Sequence, residues 1–194
     1  MQGERQIMRE ELKLTSHLVE TLVSKQDVYR GRMIHLRIDT VRLPDGKETT
    51  REIVEHPGAV AVVAETEDGK LVLVTQYRHP IGQISIEIPA GKLEPGELID
   101  EAAHRELLEE TGYRAKNLFK VMEFYSTPGF SDEIMHLFVA SGLTFEKTQP
   151  DEDEFIDCKD YNKDEVMNLI QTGQIKDAKT LIGLFWWLYG STAN

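Results

Sequence analysis

The chain has 194 residues, of which 40% are hydrophobic and 29% charged, and its formal net charge is −12. That length suits one well-cored domain with a small accessory element, and the composition is that of an ordinary globular protein rather than a disordered or membrane chain. An acidic balance argues against a polymeric nucleic acid as partner, since such affinity rests on Lys and Arg neutralising phosphates, but it admits a phosphorylated small molecule if divalent cations stand between.

Met1 to Leu14 is polar and charged, without the apolar run and cleavage site of a signal peptide, and no later stretch approaches the roughly 18 apolar residues of a membrane span. Residues 17–55 carry short β-rich runs such as Met33–Leu43, and Pro44-Asp45-Gly46 is a hairpin signal. Ala59–Ala64 and Leu71–Tyr77 read as core strands joined by a turn at Glu67-Asp68-Gly69. Between Ile86 and Tyr113 the pattern passes from strand through a Gly-rich loop to a helical run that stops at Gly112, with the charge density of an exposed helix.

Strands are expected at Phe119–Phe124 and Ile134–Ala140, then an acidic loop at Asp151–Glu154 and a strand near Phe155–Cys158. Helices at Lys163–Thr172 and Asp177–Tyr189 close the chain. Trp186 and Trp187 could stack on a base, but on so apolar a helix they read better as core or interface. Cys158 is the single cysteine, which excludes an intrachain disulfide, argues against structural zinc and fits a reducing cytoplasm.

The segment that carries chemistry is Gly91 to Tyr113. Pro95-Gly96 suits the central positions of a type II turn. On the helix that follows, Glu106, Glu109 and Glu110 stand at i, i+3 and i+4, so three carboxylates share one face. Carboxylates that close repel, and Mg²⁺ is the natural compensation, a hard cation that takes a few carboxylates plus phosphate oxygens and water. Arg105 could brace the face by pairing with Glu109 or Glu101. A bare Glu-x-x-Glu-Glu triplet would more often be a solvated acidic helix. Two glycines, Glu97, Arg105 and Gly112 in register make that coincidence far less probable.

At these residues the chain resembles the Nudix hydrolase family. The family signature is Gly, five residues, Glu, seven residues, Arg-Glu, an aliphatic, one residue, Glu-Glu, one residue, Gly and an aliphatic; Gly91, Glu97, Arg105, Glu106, Leu107, Glu109, Glu110 and Gly112 match it. Tyr113 stands where an aliphatic is usual, at a packing position. The resemblance implies an α/β/α sandwich with a mixed β-sheet over residues 56–194, preceded by a small N-terminal β-rich extension, residues 1–55, that forms a homodimer. It also implies that Glu106, Glu109, Glu110 and the main-chain carbonyl of Ala90 hold Mg²⁺, with Mn²⁺ as a substitute, and that Glu109 takes part in catalysis.

Pro128 lies fifteen residues beyond the signature, in Ser126–Glu133, an offset similar to that of the ADP-ribose pyrophosphatase subgroup; a proline that merely stiffens a turn is the plainer reading. The subgroup resemblance implies substrate contacts from Arg51, Arg78, Pro128 and Glu133, and a catalytic base in the acidic loop, Glu152 first and Glu154 second. The expected reaction is hydrolysis of ADP-ribose to AMP and ribose 5-phosphate by a metal-activated water. The alternatives are a Nudix hydrolase for another nucleoside-diphosphate sugar or an oxidised nucleotide, and a catalytically silent ADP-ribose sensor. His79 and His104 have no partner spacing and are expected to be structural or exposed.

Overall fold

The computed structural model describes residues 15–148 and 155–190. The chain divides into two compact units, one formed by residues 1–56 with Thr127–Asp132 and the other by residues 57–126 and 133–194. The short excursion Thr127–Asp132 interrupts the second unit in sequence and joins the first.

The first unit is an antiparallel meander of β1 (Thr21–Arg30), β2 (His35–Arg42) and β3 (Glu48–Glu55). The Pro44-Asp45-Gly46 turn joins β2 to β3, closed by the Leu43 N–H on the Lys47 carbonyl at 2.8 Å. Pairing runs from His35 opposite Glu55 to Arg42 opposite Glu48. The partly buried stretch is held by charge as much as by packing: Arg37 Nε donates to Asp39 at 2.9 Å, and His35 Nδ1 lies 2.6 Å from Glu55. β1, by contrast, has all ten residues exposed. Among the described residues it is an edge strand with neither face covered within its unit.

Among the described residues the second unit contains seven strands and three α-helices: β4 (Ala59–Ala64), β5 (Leu71–Arg78), β6 (Gln83–Glu87), β7 (Ala90–Lys92), α1 (Ile99–Thr111), β8 (Tyr113–Tyr125), β9 (Ile134–Phe145), β10 (Ile156–Tyr161), α2 (Lys163–Gln171) and α3 (Ala178–Tyr189). One sheet has the order β7-β4-β9-β8 and is mixed, with β4 and β9 parallel and the other pairs antiparallel. The other is antiparallel, in the order β10-β5-β6.

All six residues of β4 are buried, and their alternation explains why. Ala59, Ala61 and Val63 pack in one cluster with Val166 and Leu169 of α2 and Leu184 of α3; Val60, Val62 and Ala64 pack in another with Ala102, Ala103 and Leu107 of α1. A strand covered by helices on both faces reads as a continuous apolar run, as Ala-Val-Ala-Val-Val-Ala does. Each fully buried Val or Leu contributes about 1.5–3 kcal/mol by leaving water, so this strand is the spine of a sandwich with helices on each side.

The closing helices start where their caps dictate. Asn162 and Glu165 form a reciprocal capping box at the start of α2, with bonds of 2.9 and 2.8 Å. Asp177 is the cap of α3 rather than its first residue, and its carboxylate accepts from the Thr180 N–H at 2.9 Å. Trp186 and Trp187 are half-buried against the α2–α3 side of the core.

Candidate active site

α1 delivers the acidic residues, and the loop before it sets their angle. Glu97 N–H bonds the Glu94 carbonyl at 3.1 Å across Pro95-Gly96, and Glu94 N–H donates to the Glu97 carboxylate at 3.0 Å. Asp100 and Glu101 lie in the first turn of α1, where the helix dipole favours negative charge. Gly112 ends the helix in the left-handed region, φ 74°, with its N–H on the Leu108 carbonyl at 2.8 Å.

The helix is not the solvated one its charge density suggested. Glu106 is 9% exposed and Glu110 4%, because the face carrying them turns inward against β7. Glu110 accepts a hydrogen bond from the Ala90 N–H at 3.0 Å. The carboxyl of Glu106 lies directly over Gly91, where any Cβ would collide with it. The first glycine of the motif is therefore the space in which Glu106 sits.

Arg105 pairs with Glu109, one of its two expected partners, and has a further one that helical spacing did not offer. Its chief partner is Glu97, eight residues back, through two bonds of 2.7 and 2.9 Å; Nη1 bridges Glu106 at 2.8 Å and Glu109 at 3.0 Å, and Nη2 reaches the Lys92 carbonyl. Glu109 is among its partners and Glu101 is not. The loop thus folds back along the helix, a contact that spacing on the helix alone could not reveal. The Glu97 carboxylate raises the Arg105 pKa, and Arg105 holds the Glu97 carboxyl below its usual range.

Ala90, Glu106, Glu109 and Glu110 are thereby brought together, four expected ligand groups from one helix and one short strand. Among the described residues no three His, Cys, Asp or Glu side chains are gathered closely enough to cage an ion by themselves. A hard divalent cation does not need such a cage, since Mg²⁺ keeps waters and phosphate oxygens beside one or two carboxylates. Three carboxylates around one guanidinium, those of Glu97, Glu106 and Glu109, with the nearly buried Glu110 bonded to Ala90, supply the oxygen donors and the excess negative charge that such an ion fits.

The other expected site residues fall as follows. Arg78, at the end of β5, is held by Glu87 of β6 through bonds of 2.9 and 2.8 Å. Glu133 accepts a hydrogen bond from Ser126 Oγ. Both belong to the unit that carries α1. Arg51 and Pro128 belong to the other unit: Arg51 is exposed and paired with Glu20, and Pro128 sits in a turn closed by Phe130 N–H on the Thr127 carbonyl at 3.2 Å. Glu152 and Glu154 lie outside the described residues. His79 and His104 are exposed.

Sequence reading passed over Glu87. It is 2% exposed, and although burial pushes its carboxyl up, Arg78 and Lys179 outweigh that and hold it at about 2. The one available signal was a charged residue inside the apolar run Ile84-Ser85-Ile86-Glu87-Ile88. Lys179, from α3, had no signal at all. Cys158 is a different case, its thiol pushed up to about 11 by burial.

A NUDIX domain model matches residues 55–182. The chain belongs to the Nudix family. A nucleoside diphosphate sugar hydrolase N-terminal domain model matches residues 20–54 of this Nudix hydrolase. Its relatives include the ADP-ribose pyrophosphatase of Bacillus subtilis, 47% identical over 84% of this chain and 89% of that one, and the methanol dehydrogenase activator of Bacillus methanolicus, 45% identical over 85% and 90%. Among solved structures an ADP compounds hydrolase superposes with a TM-score of 0.79 at 25% identity, covering 91% of this Nudix chain and 98% of that one. Nudix hydrolases as a family depend on divalent metal ions.

Proposed function

We propose that this Nudix hydrolase cleaves the diphosphate of ADP-ribose to AMP and ribose 5-phosphate with Mg²⁺, Mn²⁺ serving as substitute. The observation that carries the reading is the inward-turned carboxylate set, Glu106 over Gly91 and Glu110 on Ala90, in a chain 47% identical to an ADP-ribose pyrophosphatase. Glu106, Glu109, Glu110 and the Ala90 carbonyl would hold the metal. When bound it neutralises phosphate charge and lowers the pKa of the attacking water.

The chain's own residues do the remainder. Arg105 bonds Glu106 and Glu109 through one nitrogen and so offsets the mutual repulsion that would splay the face. Phosphoryl transfer asks chiefly for positioning and charge neutralisation, and Arg78 offers a cation within the same unit. Arg51, Pro128 and Glu133 are assigned to substrate by resemblance. The base that accepts the proton of water is assigned to Glu152, with Glu154 second, on the same ground. The N-terminal meander is assigned to a homodimer, a role that suits the wholly exposed edge strand β1. The single cysteine suits a cytoplasmic location.

The test is AMP release from ADP-ribose with Mg²⁺, set beside ADP-glucose, diadenosine polyphosphates and 8-oxo-dGTP, for the wild type and Glu110→Gln. Preferential cleavage of ADP-ribose is expected, falling roughly 100-fold in the variant, the scale of removing one electrostatic stabiliser. Tight ADP-ribose binding without hydrolysis of any compound would make the protein a sensor.

A further inference from the structure

Outside the acidic helix, a linked cluster of four charged side chains lies where β5, β6 and α3 meet. The Glu87 carboxylate takes Arg78 Nε at 2.9 Å on one oxygen and Arg78 Nη2 at 2.8 Å on the other, and the second oxygen also accepts from Lys179 Nζ. Lys179 donates as well to Asp177 at 3.0 Å. Asp177 is at the same time the cap of α3, accepting from the Thr180 N–H and, at 2.6 Å, from its hydroxyl. Its charge is thus largely met by the helix start. Glu87 is left to compensate two cations, and a buried carboxylate is tolerated only when paired in this way.

The cluster borders a cavity of about 880 Å³ whose lining includes Arg78, Pro80, Ile84, Glu87, Lys176 and Lys179, a size suited to a small-molecule site. The side chain of Arg78 is 39% exposed, against 3% for Glu87 and 11% for Lys179. The guanidinium is therefore the member that a ligand can reach. Nε and Nη2 are engaged, while Nη1 makes no hydrogen bond to a described residue. A free arginine on a strand end would sample many rotamers; the two-bond tether to Glu87 removes that freedom before any ligand arrives.

Connectivity links the tether to the acidic helix. Two residues, Ile88 and Pro89, separate Glu87 from Ala90, and each step is held: the Ile88 N–H donates to Thr180 Oγ1 at 3.0 Å, the Pro89 carbonyl accepts from the Val62 N–H at 2.8 Å, and the Ala90 N–H donates to Glu110. The charge of Glu110 is among those that raise the Arg78 pKa, after Glu87 itself.

We propose that Glu87 is a positioning residue: its two-bond pair holds Arg78 with a free edge for the phosphate oxygens of the diphosphate, and Lys179 offsets the Glu87 carboxylate so that it does not repel that anion. The inference rests on the reading of this chain as a diphosphate hydrolase. It differs from a merely structural ion pair because Glu87 acts on substrate only through Arg78.

The experiment is a double-mutant cycle of Arg78→Ala, Glu87→Gln and the pair, read by steady-state kinetics on ADP-ribose and by calorimetric binding of ADP-ribose in EDTA, with Tm recorded for each. Each single variant is expected to raise KM by about tenfold with kcat nearly unchanged, and the double variant to be no worse than Arg78→Ala alone. Additive effects, an unchanged KM in Arg78→Ala, or a change confined to Tm would overturn the proposal. Should Glu87→Gln fail to fold, Lys179→Met keeps the tether but leaves the carboxylate uncompensated, and an unchanged KM there is equally adverse. Binding in a non-additive pattern without hydrolysis would sink the enzymatic reading and leave the tether standing. Hydrolysis with an additive cycle would do the reverse, and neither binding nor hydrolysis would overturn both.

Discussion

Gly91 lacks a side chain because Glu106 occupies the place where one would be. The same residue type in the same loop could be explained by a turn, yet here the requirement comes from the neighbouring helix and concerns a metal-ligand candidate. Substituting Gly91→Ala must push the Glu106 carboxyl aside. A displacement near 1 Å at a catalytic group costs on the order of 100-fold in rate. The expected outcome is a loss of that order in kcat on ADP-ribose, with a Tm close to that of the wild type. A fully active variant would show that Glu106 does not need its present seat.

At the scale of elements, the strand end of β5, the end of β6 and the start of α3 are joined by one buried carboxylate. Glu87 sits at about 2 in the folded chain against an ordinary 4.5. A depressed carboxyl stabilises the fold fully above its unfolded pKa and ceases to do so as pH falls through its folded one. The window is therefore pH 4.5 down to 2, and the contribution lost across it is about 3 kcal/mol. Thermal unfolding followed across that window should show Tm falling for the wild type and a flatter profile for Glu87→Gln, which starts lower at neutral pH. Parallel profiles would mean that other carboxylates carry the acid sensitivity. α1 teaches a related lesson: its charges suggested an exposed helix, whereas the side facing β7 buries Glu106 and Glu110 along with Ala102, Ala103 and Leu107. A helix can be rich in charge and still be enclosed when its carboxylates find partners, as Glu106 does in Arg105 and Glu110 in the Ala90 N–H.

At the scale of the whole molecule, the N-terminal meander presents β1 with Leu22, Val23, Val28 and Tyr29 each more than two-fifths exposed. Long, flat, apolar edges are normally blunted or covered, and a second copy of the chain is the proposed cover. Sedimentation equilibrium is expected to return twice the chain mass, and removal of residues 1–30 to return a monomer. A wild type that sediments as a monomer at micromolar concentration would refute this assignment.

Several features were determined by sequence alone. The apolar run of β4, the hairpin at Pro44-Asp45-Gly46, the stop at Gly112 and the spacing of Glu97, Arg105, Glu106, Glu109 and Glu110 are local, because strand alternation, turn chemistry and helical periodicity act between residues near in the chain. The ends of β8 and β9 ran beyond their expected limits, since each strand is lengthened by pairing with the other, a distant segment. Tertiary structure alone decided which carboxylates turn inward, that Arg105 reaches back to Glu97 rather than Glu101, and that Glu87 meets Lys179 from 92 residues away. Those contacts depend on how α1 and α3 pack against opposite faces of the strands, and no periodicity within a segment records what lies across a core.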